Sequence, residues 1–314
     1  MNLLLGAVTI GLISSLMALG VFIAYRVLDT LDLTVEGSYG LGAAVTAVML
    51  VRGVSPFAAT ALGTLAGVAA GTVTGLVHTR LRVQALLAGI LTTTALYSVI
   101  LYVMNGGDLS LAGSRTLVTV AERLGQLLGG MGDLTLFGIE VPARNWQGLL
   151  LTLGLTVTLA LGLAGFFRTN LGLAMRATVS NPRMARAVGI DVGSTLVFGL
   201  ALSNGLVAMA GAIFAQFVGF ANIQMGVGIF VTGVASVMIG ETVLGRRGMG
   251  RWLAAVVVGS VLFRLLVAGA LRAVLDPNAL KLVTALLVLG ALVLPRLWAR
   301  EAAGRAPRSE APRG

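Results

Sequence analysis

Residues 1–25 read MNLLLGAVTIGLISSLMALGVFIAY and contain no Asp, Glu, Lys or Arg. At about 1.5 Å per helical residue such a run covers a hydrocarbon core about 30 Å thick. It lacks the basic n-region and small-residue cleavage site of a leader and is longer than an h-region, so it reads as a retained helix. The rest of the chain repeats the pattern. Its 314 residues are 57% hydrophobic and 11% charged, with a mean hydropathy of +0.97. A soluble domain carries about 25% charged residues, so a water-soluble fold cannot hide this apolar surface. Breaks at charges, Gly and Pro place spans near residues 3–25, 33–51, 56–79, 84–104, 147–167, 194–219, 226–245, 252–273 and 279–295. The expectation is an all-α, polytopic transmembrane helix bundle of about nine spans.

Charge orients it. With nine spans, one set of loops holds 15 of the 22 basic residues, including Arg26, Arg80, Arg82, Arg168, Arg246 and the tail arginines, and the other holds six. The richer set faces the cytoplasm by the positive-inside rule. The net charge of +10 is therefore a topology signal, and its scatter over short loops without interleaved aromatics argues against nucleic acid as a partner. Residues 1–295 form the membrane domain, with an external loop at 105–145 and a cytoplasmic segment at 168–193. Residues 296–314, ending EAAGRAPRSEAPRG, read as a disordered basic cytoplasmic tail. Within the external loop, TLVTVAERLGQLLGG at 116–130 is amphipathic and reads either as a lid or as a helix that seals the bundle.

Several features lie at membrane depth. Gly63, Gly67, Gly71 and Gly75 recur every four residues, which stacks them on one helix face for close backbone packing. The second span begins LDLTVEGSYGLGAAV at 31–45, where Glu36, Gly37, Ser38, Gly40 and Gly42 make an interrupted helix the expectation. Broken helices at membrane depth commonly line a solute site, although Glu36 also reads as a solvated cytoplasmic helix end. Asn204 and Gln216 in the sixth span are further pathway candidates, or bonds between helices. Thr92, Thr93 and Thr94 are expected to satisfy themselves on their own helix carbonyls. Arg264, inside the eighth span, should face inward, with Glu241 as one candidate partner. His78 reads as a helix-end residue, and with no other ligands near it no metal site follows.

Missing motifs narrow the function. There is no G-x-x-x-x-G-K-[ST] phosphate cradle around the lone lysine, Lys281, and no H-E-x-x-H. Cysteine is absent, which excludes thiolate chemistry and disulfides. The chain is not read as an enzyme, and any energy drawn from ATP must come from another subunit.

NPRMARAVGI, residues 181–190, is the one compact helical signal in a polar loop. Asn181 is a helix cap, Pro182 fits the first turn and Gly189 can end the helix, leaving a short basic element with Arg183 and Arg186. So short a helix needs a surface, and Met184, Ala185 and Val188 offer the apolar contact. Anionic headgroups or a protein partner both satisfy its charge.

The segments LGLAMRAT at 171–178 and NPRMARAVGID at 181–191 resemble the coupling-helix region of permeases in the branched-chain amino acid and ribose type of ABC importer. LDLTVEGSYGLGAAV resembles an early segment of those permeases, and residues 79–107 resemble their fourth span. Residues 199–241 and 275–288 are most similar to a narrower subgroup of tryptophan/tyrosine or uncharacterised amino-acid-type permeases. Glu36 departs from the sugar permeases, where an aliphatic residue runs directly into Gly.

The resemblance implies a type II ABC importer permease with at least one broken helix, paired with a second permease subunit as a homodimer. It further implies two cytoplasmic ATPase subunits that hold ATP and Mg, an external solute-binding protein, and a bacterial plasma membrane location. Asn181 to Gly189 then dock on the ATPase, and Glu36, Gly37, Ser38, Asn204 and Gln216 line the path of an amino acid or related solute. An ion-coupled secondary transporter or channel remains the alternative, with Glu36, Glu241 and Arg264 as its sparse intramembrane charges.

Overall fold

A computed structural model describes residues 2–127, 134–136, 139–141, 143–246, 248–273, 285–286 and 288–290. The chain runs through α1 (Asn2–Phe22), which continues into a π-helical turn at Ile23–Val27, then α2 (Thr34–Val51), α3 (Pro56–Arg80) and α4 (Ala85–Val103). The stretch between α4 and the next long helix holds β1 (Leu109–Ser110), α5 (Leu117–Leu127), β2 (Leu134–Leu136) and β3 (Ile139–Val141). It is followed by α6 (Ala143–Phe166), α7 (Asn170–Ser180), α8 (Pro182–Ala187) and α9 (Val192–Val218). The described chain closes with β4 (Phe220–Ala221), α10 (Ile229–Leu244) and α11 (Met249–Ala273).

Seven of these helices, α1 to α4, α6, α9 and α11, are long and apolar enough to cross a membrane, and α10 is a shorter apolar helix. They match the first eight expected spans. The ninth, 279–295, and the tail 296–314 lie largely or wholly outside the described residues. The only sheet pairing among the described residues is two short antiparallel ladders, β1 with β4 and β2 with β3. The first ties the loop after α4 to the exit of α9, with Leu109 opposite Ala221.

Helix α9 is the hub, packed against α1, α2 and α3, while α10 and α11 pair beside α1. The reason lies in small residues. A Cβ on Gly67 would collide with the Ala208 side chain, one on Gly71 with the Leu200 carbonyl, and one on Gly75 would come 2.8 Å from Val197 Cα. All three sites are on α9, and Gly63 meets α2 at Thr46, so each glycine of the four-residue stripe on α3 is a close packing contact.

The interruption expected in the second span is absent, because α2 is continuous from Thr34 to Val51. Its glycines work as contact points. Gly37 lies under Leu96 of α4, Gly40 under Ile100, and Gly42 against the Ala208 carbonyl of α9. A helical glycine costs about 1 kcal/mol relative to alanine. Close approach of two backbones offsets that cost where no water competes for the carbonyls. The irregular backbone sits just before α2 instead, in residues 28–33.

Candidate functional site

Two places combine polar chemistry with a defined geometry, and the first is the segment between α6 and α9. Thr169 caps α7 by accepting a bond from the Gly172 N–H, and Asn181 caps α8 by accepting from the Met184 N–H at 3.0 Å. Gly189 adopts φ +85°, the left-handed conformation that closes a helix, and the Ile190 N–H returns to the Ala185 carbonyl. Asp191 then caps α9, with its carboxylate accepting from Gly193 N–H at 2.9 Å and the Ser194 hydroxyl at 2.6 Å. That hydroxyl, together with the Ser194 and Gly193 amides, holds the Asp191 carboxyl below the usual aspartate range.

Three caps within 23 residues make this segment a sequence of rigid short helices. Of the three residues expected to supply the apolar contact, Ala185 of α8 is 2% exposed and packs inward, while Met184 is 63% exposed and Val188, the residue that follows the helix, is 65% exposed. Arg183 and Arg186 are exposed beside them. The helix therefore presents a mixed apolar and basic face outward. Behind it, Met175 of α7 and Phe167 are buried in the same cluster as Phe22, Leu28 and Leu200. Met175 thus packs α7 onto α1 and α9.

The second place is the junction where α2 begins. Asp32, 1% exposed, accepts the Thr34 N–H at 2.9 Å on Oδ1 and the Asn204 Nδ2–H at 2.7 Å on Oδ2. Asn204 Oδ1 accepts the Ser38 hydroxyl at 2.7 Å, and the Thr34 and Thr74 hydroxyls bond at 2.8 Å. Asn204 stands 12 residues along α9, roughly 18 Å from its start, so this network lies deep in the bundle. Sequence reasoning passed over Asp32. Its signal was an Asp two residues before a Thr that opens a helix, the spacing of an Asx turn, inside an apolar stretch.

Glu36 is half-buried on the next turn and accepts the Gly228 N–H on Oε1 at 3.1 Å. Gly228 precedes α10, so the carboxylate sits at the positive end of a helix that starts inside the bundle. Gly226 backs directly onto the Glu36 carbonyl. Of the five pathway candidates, only Glu36 keeps part of its surface open. Gly37, Ser38 and Asn204 are buried. Gln216 is buried too, donating to Thr60 Oγ1 at 2.8 Å and accepting the Leu117 N–H at 3.0 Å. That last bond pins α5 to α9.

The pairing of Arg264 with Glu241 does not occur. Glu241, with a side chain 4% exposed, binds Arg26 at 2.6 Å, Arg246 at 2.8 Å and the Trp252 indole N–H at 2.9 Å. It ties the π-helical turn after α1 to the junction of α10 and α11. Among the described residues Arg264 has no carboxylate partner, and it lies in the field of Tyr39 and against Gly11. Antiparallel packing of α10 on α11 explains the miss. Gly240 meets Ala255 and Gly259 meets Ser236, so Glu241 is level with the start of α11 and several turns from Arg264. The threonines divide: Thr92 and Thr94 bond their own helix carbonyls, whereas Thr93 reaches across to the Leu33 carbonyl.

Seven helices long and apolar enough to cross a membrane, with a capped basic segment between α6 and α9, define a multi-pass membrane protein. The model of the permease component of the branched-chain amino acid transport system matches residues 3–294, and the chain belongs to that family of ABC permeases. A tyrosine transport system permease protein of Clostridioides difficile (strain R20291) is 33% identical over 297 residues, covering 95% of this chain and 92% of that protein. An uncharacterized protein of Rickettsia prowazekii (strain Madrid E) is 33% identical over 244 residues, 77% of this chain and 78% of its own length. A solved inward-facing ABC transporter of the metal-chelate type aligns over 95% of this chain and 85% of its own, at 18% identity and a TM-score of 0.46. ABC permeases work with an ATPase and a substrate-binding protein.

Proposed function

We propose that this permease carries an amino acid, of the aromatic class that includes tyrosine, into a bacterial cell as one half of a homodimer in the plasma membrane. The observation that carries the reading is the 33% identity with a tyrosine permease along 95% of the chain. Two cytoplasmic ATPase subunits hold ATP and Mg and seat Asn181 to Gly189 in a groove. Arg183 and Arg186 meet acidic groups there, and Met184 and Val188 fill its apolar floor. Closure of the ATPase pair pulls α8, and the pull passes through Met175 and Phe167 to the α1–α2 link and α9.

An external solute-binding protein delivers the cargo, and specificity resides mainly there. Within the permease, Glu36 is the carboxylate placed to meet a cationic amino group. Gly37, Ser38, Asn204 and Gln216 stand behind it and come to line the path when the helices rock apart. The test is uptake of radiolabelled tyrosine into proteoliposomes holding the permease. Entry that needs ATP, the ATPase and the binding protein together supports the reading, whereas ion-driven entry through this chain alone overturns it.

A further inference from the structure

A groove of about 620 Å³ runs along the flank of the bundle between α3 and α9. Its walls include Val68, Leu76, Val197 and Leu202, and exposed Leu76 and Phe198 leave it open sideways. From Val68 to Arg80 it spans 12 helical residues, about 18 Å, close to half of a 30 Å hydrocarbon core. That is the depth of one leaflet. The polar end coincides with the end of α3 and the start of α9, the arginine-rich side that charge bias assigns to the cytoplasm, and there Arg80 and Asp191 both line the mouth.

These two charges feel one another, yet among the described residues they form no ion pair. Asp191 spends one bond on each oxygen to cap α9 and keeps spare lone pairs toward solvent. The mouth thus offers one cation and one anion, unneutralised by contact, at the headgroup level of the inner leaflet. A purely anionic headgroup is drawn to Arg80 but repelled by Asp191. A quaternary ammonium has no N–H to donate to the carboxylate. A phosphate joined by a short linker to a primary ammonium satisfies both.

We propose that the α3–α9 groove binds a zwitterionic aminophospholipid of the inner leaflet, with one acyl chain along the groove, its phosphate on Arg80 and its ammonium on Asp191. Asp191 follows α8 within a few residues, so the lipid joins the end of α3 to the root of the coupling segment. The site is independent of the cargo.

The experiment is intact-protein mass spectrometry of the full chain, stripped of lipid in mild detergent and titrated with phosphatidylethanolamine, phosphatidylcholine or phosphatidylglycerol. One phosphatidylethanolamine per chain is expected to be retained at a concentration about tenfold below the other two, the ratio that one charge-assisted hydrogen bond supplies. Asp191→Asn keeps the helix cap, since Asn caps as well as Asp, and is expected to erase that preference. Arg80→Gln is expected to weaken all three lipids together. Equal retention of the three by the unaltered chain, or an unchanged preference in Asp191→Asn, overturns the site. So does a Leu76→Cys chain that crosslinks fully to a second copy, because protein then fills the groove.

Discussion

Along α3 four glycines press into α9 and α2, whereas α8 buries a single side chain, Ala185. The first region is sealed by backbone-to-backbone contact and by buried bonds such as Ser38 to Asn204. The second is held by caps at its ends and leaves Met184 and Val188 uncovered. The difference is mechanical. A slab without slack moves as one body, and a capped helix with an open face is a place to push it. Beside α8, Met175 of α7 is buried with Phe167 against Phe22 of α1 and Leu200 of α9, the helix that α3 packs on.

The sharpest way to break this contrast is to add bulk inside the sealed slab and at an open helix face away from it. Gly211→Leu drives a side chain into the Tyr39 carbonyl, which cannot yield, and should destabilise the protein by more than about 3 kcal/mol. Gly162→Leu on α6 meets nothing within 4 Å and should stay within about 0.5 kcal/mol. Thermal unfolding of the two variants in detergent reads the difference directly. Equal behaviour would mean the glycines are not packing sites.

Next in size is Glu241→Gln. It strips Arg26 and Arg246 of their shared carboxylate and should cost about 2 kcal/mol, since a partly buried guanidinium is left unpaired. The indole of Trp252 loses its charged acceptor in the same step, so its fluorescence should shift while Arg246→Gln leaves it in place. A smaller effect on stability, with a large one on partnership, is expected of the double variant Arg183→Glu, Arg186→Glu. Insertion and melting temperature should be unchanged, and co-purification with the ATPase should fall at least about tenfold.

The smallest effect is a pH dependence at the cap of α9. Asp191 has a lowered pKa in the folded chain. Its contribution is therefore complete above the ordinary aspartate value of about 3.9 and fades as the pH falls toward the lowered one. Asp191→Asn should show a melting temperature flatter with pH across that acidic range. A parallel profile would remove the cap from the list of ionised supports.

The sequence revealed those parts of the molecule whose cause is local. Spans follow from runs of apolar residues, and α8 follows from Asn181, Pro182 and Gly189, each acting on its own few neighbours. Amphipathicity in the loop after α4 marked α5 in the same way. Features that depend on which face meets which neighbour were not legible. Gly37, Gly40 and Gly42 look like helix breakers by water-based propensity, and only the presence of α4 and α9 against them makes them contact points. Glu241 and Arg264 share a hairpin of helices, but the register of α10 on α11 separates them. Asp32 escaped notice because a carboxylate between two spans reads as loop. Its depth depends on Asn204, 172 positions away.

The chain has no cysteine, so a single Met184→Cys places one reactive thiol on the open face of α8. Thiol crosslinking of this variant to its ATPase in inside-out vesicles is the most direct test of force entering there. A crosslink whose yield changes when ATP is added is the expected result. Labelling of the thiol only by an impermeant reagent applied to the outer face of intact cells would contradict it.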